Sequence, residues 1–153
     1  MVGPWLQSLW KAGKRLSDIE YLAIKEFDSK LVHNEGALTS TGTLCTLEAS
    51  SGKDLYLASA TVYVKIDQVQ TQASVGTIEL QADGTVIETA SIGTESGTGG
   101  AFGIGYQIHF AGKGIKVVAG KALRLECTVL GTDISLEGTI YAFEETTGDS
   151  PAI

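Results

Sequence analysis

Residues 123–145 read LRLECTVLGTDISLEGTIYAFEE. Leu123, Leu125, Cys127 and Val129 alternate with Arg124, Glu126 and Thr128. After Gly131-Thr132-Asp133 the order resumes. Ile134, Leu136, Ile140 and Ala142 fall on one side, and Ser135, Glu137, Thr139, Tyr141 and Phe143 on the other. Such period-two order marks a half-buried strand, because successive side chains point to opposite faces. The stretch is expected to form a hairpin whose inner face fills a core and whose outer face is wet or meets a neighbour.

The same pattern extends upstream. In LYLASATVYVKID, Ala60, Val62, Val64 and Ile66 oppose Thr61, Tyr63 and Lys65. In GTIELQADGTVIETASI, Asp83-Gly84 separates two β-rich runs, a strong hairpin signal because both central turn residues need positive φ. Further strands are expected near Thr43 to Ala49, in YQIHFAG and in KGIKVVAGKA. Seven or eight short strands without intervening helical segments predict an all-β, antiparallel sandwich of the jelly-roll kind.

Residues 1–34 differ from this body and read as an N-terminal arm. Both Trp residues, Trp5 and Trp10, lie there, and Leu6, Leu9 and Trp10 recur at helical spacing. Ser17 to Glu20 has the form of a capping box. The spacing predicts helix over 5–15 and 17–31. The sandwich is expected to occupy 35–146, with a polar tail over 147–153.

The net charge is −7 but unevenly spread. The arm carries five basic and four acidic residues, the rest six basic and fourteen acidic. An acidic body argues against nucleic acid, whose phosphates require clustered Lys and Arg. The first fifteen residues carry Lys11, Lys14 and Arg15 and no acid, which suits an acidic partner such as the body of a sister subunit. No apolar run approaches a membrane span, and MVGPWLQSLWKAGKRL is not laid out as a secretory signal.

Candidate chemistry is sparse. Gly97, Gly99, Gly100 and Phe102 fall in GTGGAFGIG, which lacks the Lys-Ser/Thr and the helix of a phosphate loop; it reads as a surface loop able to touch a partner. His33 and His109 lie far apart and lack zinc-ligand spacing. Cys45 and Cys127 read as buried free thiols, with a single bridge the lesser alternative. Cys127 points with Leu125 and Val129, against pairing with His109 as a nucleophile. Glu126 and Glu137 are placed to face each other across the final hairpin, with Arg124 beside them. Paired carboxylates serve glycoside hydrolysis or calcium, and otherwise form a solvated face. Tyr63, Tyr141 and Phe143 are outward and could stack on sugars. No catalytic residue, metal ligand or cofactor is assigned.

Four segments carry a resemblance: GKDLYLASATVYV, GTIELQADGTVIET, FAGKGIKVVAGKALRLECTVLG and ISLEGTIYAFEE. With their Gly-Lys opening, DGT hairpin, V-x-G-K turn and G-x-I-x-x-x-E-E ending, they resemble small jelly-roll or β-sandwich structural proteins of tailed phages and related virus particles. The resemblance covers Gly52 to Glu145 and implies a non-enzymatic capsid, decoration, collar or tail component. It implies assembly in the host cytoplasm into a virion, with copies of itself and other virion proteins as partners. Trp5, Leu6, Leu9 and Trp10 are then the arm anchors, and the 93–105 loop a contact surface. The alternative is a carbohydrate- or surface-binding module, with or without calcium. A glycosidase ranks last.

Overall fold

The computed structural model of the protein describes residues 30–68, 74–93, 104–111 and 114–147. They form nine strands: β1 (Lys30–Leu38), β2 (Gly42–Glu48), β3 (Lys53–Ile66), β4 (Ser74–Ala82), β5 (Thr85–Gly93), β6 (Ile104–Ala111), β7 (Lys116–Val117), β8 (Ala122–Leu130) and β9 (Ile134–Thr146). One sheet has the order β1-β9-β3-β6, the other β2-β8-β4-β5. The two-residue β7 pairs with Leu55 and Tyr56 of β3, beyond the stretch Ser59 to Ile66 that pairs with β6. It therefore continues β6 along the same edge, and eight strand positions result.

The pairings show how the chain is wound. β1 lies beside β9, β2 beside β8, β3 beside β6 and β4 beside β5. The first half of the chain is thus paired in reverse order with the second, as a long ribbon rolled over into two sheets. The contacts of β3 with β9 and of β4 with β8 close each sheet. This is the jelly roll, the expected fold class.

The core lies between the sheets and follows the alternation read from the sequence. Leu55, Val62, Val64, Leu136 and Ile140 enter it from one side, and Ile78, Leu80, Leu123 and Leu125 from the other; all are fully buried. Tyr106 of β6 reaches Gly93 of β5 in the opposite sheet, donating its hydroxyl to the carbonyl at 3.3 Å. At Gly138 a side chain is excluded by the core itself. A Cβ there would lie 2.4 Å from Cδ2 of Leu44, the bulged residue that β2 inserts opposite.

Two expectations are corrected. Residues 123–145 do not form a hairpin. β8 and β9 belong to different sheets, and the Gly131–Asp133 corner, with Asp133 at φ 58°, carries the chain from one to the other. Gly131 N–H donates to Val75 and Asp67 N–H to Asp133, so the corner is tied to both sheets. Both strands turn their apolar side inward as expected, except at Val129, which the extra residue Thr128 turns outward to 55% exposure. The second correction is at the start of the body. Lys30 and Leu31, the end of the expected 17–31 helix, are strand, and β1 takes in five residues assigned to the arm. Residues 5–15 and 17–29, Trp5, Leu6, Leu9 and Trp10 among them, lie outside the described residues.

The Asp83-Gly84 turn is as predicted. Both residues have positive φ, 50° and 76°, and join β4 to β5.

Candidate functional site

Along β9 the outward positions are Ser135, Glu137, Thr139, Tyr141, Phe143 and Glu145. Their partners on β3 put Phe143 opposite Tyr56, Tyr141 opposite Ser59, Thr139 opposite Thr61, and Glu137 opposite Tyr63. On the far side of β3, Thr61 faces His109 and Tyr63 faces Gln107 of β6. The outer face of this sheet is therefore a set of rows, aromatic at either end and polar between.

Several contacts order the face. His33 of β1 stacks on Tyr141, with ring centroids 5.4 Å apart and planes 27° off parallel. The Thr61 hydroxyl lies 3.1 Å from Nδ1 of His109. Tyr63 lies across Gly105 of the neighbouring strand, where a Cβ would meet its hydroxyl at 1.8 Å and Cζ at 2.4 Å. The Lys116 ammonium sits 5.4 Å from the centre of the Tyr56 ring and 2.8 Å from Asp54 Oδ2. Asp54 also accepts from the Ala119 N–H and the Thr147 hydroxyl. Its carboxyl is held below the usual range, chiefly by the Lys116 hydrogen bond, and Lys116 is raised chiefly by Asp54.

Tyr63, Tyr141 and Phe143 are 40%, 39% and 43% exposed. Where β1 meets β9 there is an open depression of about 380 Å³, lined by Glu35, Gly36, Ala37, Glu137, Gly138 and Thr139.

The other sheet is built differently. Its outward positions include Thr43, Thr46, Thr77, Glu79, Gln81, Arg124 and Glu126. Every Phe and Tyr among the described residues, namely Tyr56, Tyr63, Tyr106, Phe110, Tyr141 and Phe143, lies on the first sheet.

The remaining candidates fall apart in space. Glu126 and Glu137 sit on the outer faces of opposite sheets, so they cannot act as a pair. Glu126 instead accepts from the Thr43 hydroxyl at 2.7 Å and lies opposite Glu79. Cys127 is in the core of one sheet while His109 is on the outer face of the other, so no Cys–His pair forms. Cys45 and Cys127 are free and buried. Burial raises the Cys45 thiol to about 11; burial, with the charge of Glu126, also raises Cys127, so both stay protonated at neutral pH. Glu144 is buried and accepts from the Ser50 N–H at 3.0 Å. Among the described residues no three His, Cys, Asp or Glu side chains gather to hold an ion, and no helix is long and apolar enough to cross a membrane. Gly97, Gly99, Gly100 and Phe102 lie outside the described residues.

Sequence expectation had Tyr63, Tyr141 and Phe143 outward, and so they are. It missed Tyr56 and His33. Period-two counting back from Ala60 sends Tyr56 inward, but an extra residue between Leu57 and Ser59 reverses the phase and turns Tyr56 out.

No family model matches the chain, and no curated protein does. Among solved structures, dimeric latent PorU from Porphyromonas gingivalis is similar over 78% of this chain at 12% identity and a TM-score of 0.42; this chain spans 10% of PorU. A family 35 carbohydrate binding module from Clostridium thermocellum is similar over 76% of this chain and 92% of its own, at 10% identity and a TM-score of 0.32. At these values the two likenesses assign no activity, and the chemistry of the aromatic face stands alone.

Proposed function

We propose that the domain is a non-catalytic module that binds carbohydrate on the outer face of the β1-β9-β3-β6 sheet. The observation that carries this reading is the segregation of aromatic residues. Outward Tyr56, Tyr63, Tyr141 and Phe143 share one face with hydroxyl, imidazole, amide and carboxylate groups, and an open depression lies where β1 meets β9. A pyranose ring has an apolar face and a rim of hydroxyls. It needs flat apolar platforms with polar groups beside them, and an aromatic ring provides such contact area at low cost in side-chain entropy. The Glu126–Glu137 pair suggested by the sequence is divided between opposite faces and cannot act as acid and base about one bond.

Affinity electrophoresis of the full chain in gels containing soluble polysaccharides tests this. Retardation by at least one polysaccharide, lost in Tyr63→Ala and Tyr141→Ala, is expected. Free migration in every gel refutes it.

Assembly as a component of a virus particle is the second reading, kept for one observation. The strand order found here is the one shared by viral capsid and lectin domains. Against assembly through the exposed β5 edge stand its bulge at Ile87 and the adjacent Glu88, features that blunt edge-to-edge pairing. A light-scattering mass for the full chain decides it: a defined oligomer supports assembly, and a monomer removes it.

A further inference from the structure

We propose that the aromatic face takes a linear, uncharged glycan that spans Tyr141 and Tyr63, and that Gly105 is the residue that positions the second of these platforms. This rests on the carbohydrate reading above and goes on to name the kind of chain.

The spacing comes from the register. Tyr141 lies opposite Ser59, and Tyr63 is four residues further along β3. At the rise of an antiparallel strand that is about 14 Å, the length of roughly three pyranose units. One sugar can cover one platform but not both. A chain running obliquely from β9 to β3 covers both, crosses the Thr139–Thr61 row between them and passes beside the depression, where Glu35 and Glu137 supply carboxylates.

Charge sets the class of sugar. Glu35 and Glu137 border the path, and from residue 35 onward the protein has six basic against fourteen acidic residues. Uronate, sulfate and phosphate groups are repelled by such a surface. Neutral sugars are not, and their hydroxyls are donors for the two carboxylates.

Gly105 has a specific part. The ring of Tyr63 occupies the space a side chain at 105 would fill, with its hydroxyl 1.8 Å and Cζ 2.4 Å from the position of the missing Cβ. Any larger residue lifts the ring off the sheet and out of line with Tyr141. Aromatic cover of a strand glycine in this manner is a known device of sheet construction.

Titration calorimetry of the full chain with ladders of neutral β-1,4-linked gluco- and manno-oligosaccharides, two to six units long, tests the proposal, with galacturonate oligomers of equal length alongside. Affinity should rise about tenfold or more from the disaccharide to the tetrasaccharide and then level off, as a second platform engages. The galacturonates should not bind. Tyr63→Ala and Gly105→Ala should each remove the gain with length, leaving the tetrasaccharide bound as weakly as the disaccharide. Tyr63→Ala adds no bulk, so it remains decisive if Gly105→Ala folds poorly. Equal affinity for every neutral length, or a preference for galacturonate, overturns the proposal and leaves carbohydrate binding standing. Silence toward all oligomers and toward the polysaccharide gels overturns both.

Discussion

Asp54 is nearly buried, and its charge is kept by three donors: Lys116, the Ala119 N–H and the Thr147 hydroxyl. Its pKa is lowered on folding, chiefly by Lys116. A carboxyl of that kind stabilises the fold above its unfolded value of about 3.9 and withdraws support as pH falls through the lower folded value. Lys116 is shifted upward, chiefly by Asp54, so its contribution is present below about 10.4 and lost as pH climbs through the higher folded value. Asp54→Asn should therefore flatten the acid limb of the melting temperature against pH, as thermal scans will show. Gly138 has a steric role at the same scale. Its missing side chain makes room for Leu44, so Gly138→Ala should cost about 1–3 kcal/mol by overpacking. Leu44→Ala in the same chain should relieve part of that cost, a coupling of about 0.5–3 kcal/mol in a double-mutant cycle read by urea unfolding.

Among the elements, the β4–β5 hairpin depends on its turn. Gly84 has φ 76°, which a Cβ disfavours, so Gly84→Ala should cost about 1 kcal/mol or slightly more in urea unfolding. This turn was legible in the sequence because Asp-Gly is a local signal. So were the long strands, whose alternation reports the core directly. β1 was not, since KLVHNEGAL sets Leu31 beside Val32 and follows them with Asn34, Glu35 and Gly36, poor strand formers held there by pairing with β9. The sheet change between β8 and β9 was also hidden. Two alternating runs around a short turn look alike whether they pair or separate, and only the other strands decide. The same split explains the site. Tyr63, Tyr141 and Phe143 follow from parity, whereas Tyr56 depends on a bulge and His33 on a strand that parity does not reveal.

For the whole molecule, the winding sets the folding rate. β1 waits for β9 and β2 for β8, so most pairings join residues distant in the chain. Loop-closure entropy must be met before those contacts form. Refolding from denaturant should therefore fall in the range of about milliseconds to seconds, as for other all-β topologies, in stopped-flow fluorescence. The division of labour between the sheets is also a property of the whole. One outer face gathers Tyr56, Tyr63, Tyr141 and Phe143, and the other carries Thr, Glu, Gln and Arg with the aliphatic side chains of Val86, Ile87 and Val129 exposed.

The neighbouring positions of β1 and β9 carry a mechanical consequence. The two strands run in opposite directions, with His33 over Tyr141, so the start of β1 and the end of β9 lie at the same end of the sheet. A pull applied between those two points peels the strands apart, loading their hydrogen bonds one after another instead of together. The roll yields to tension as a zipper does, at low force, however well its core resists heat.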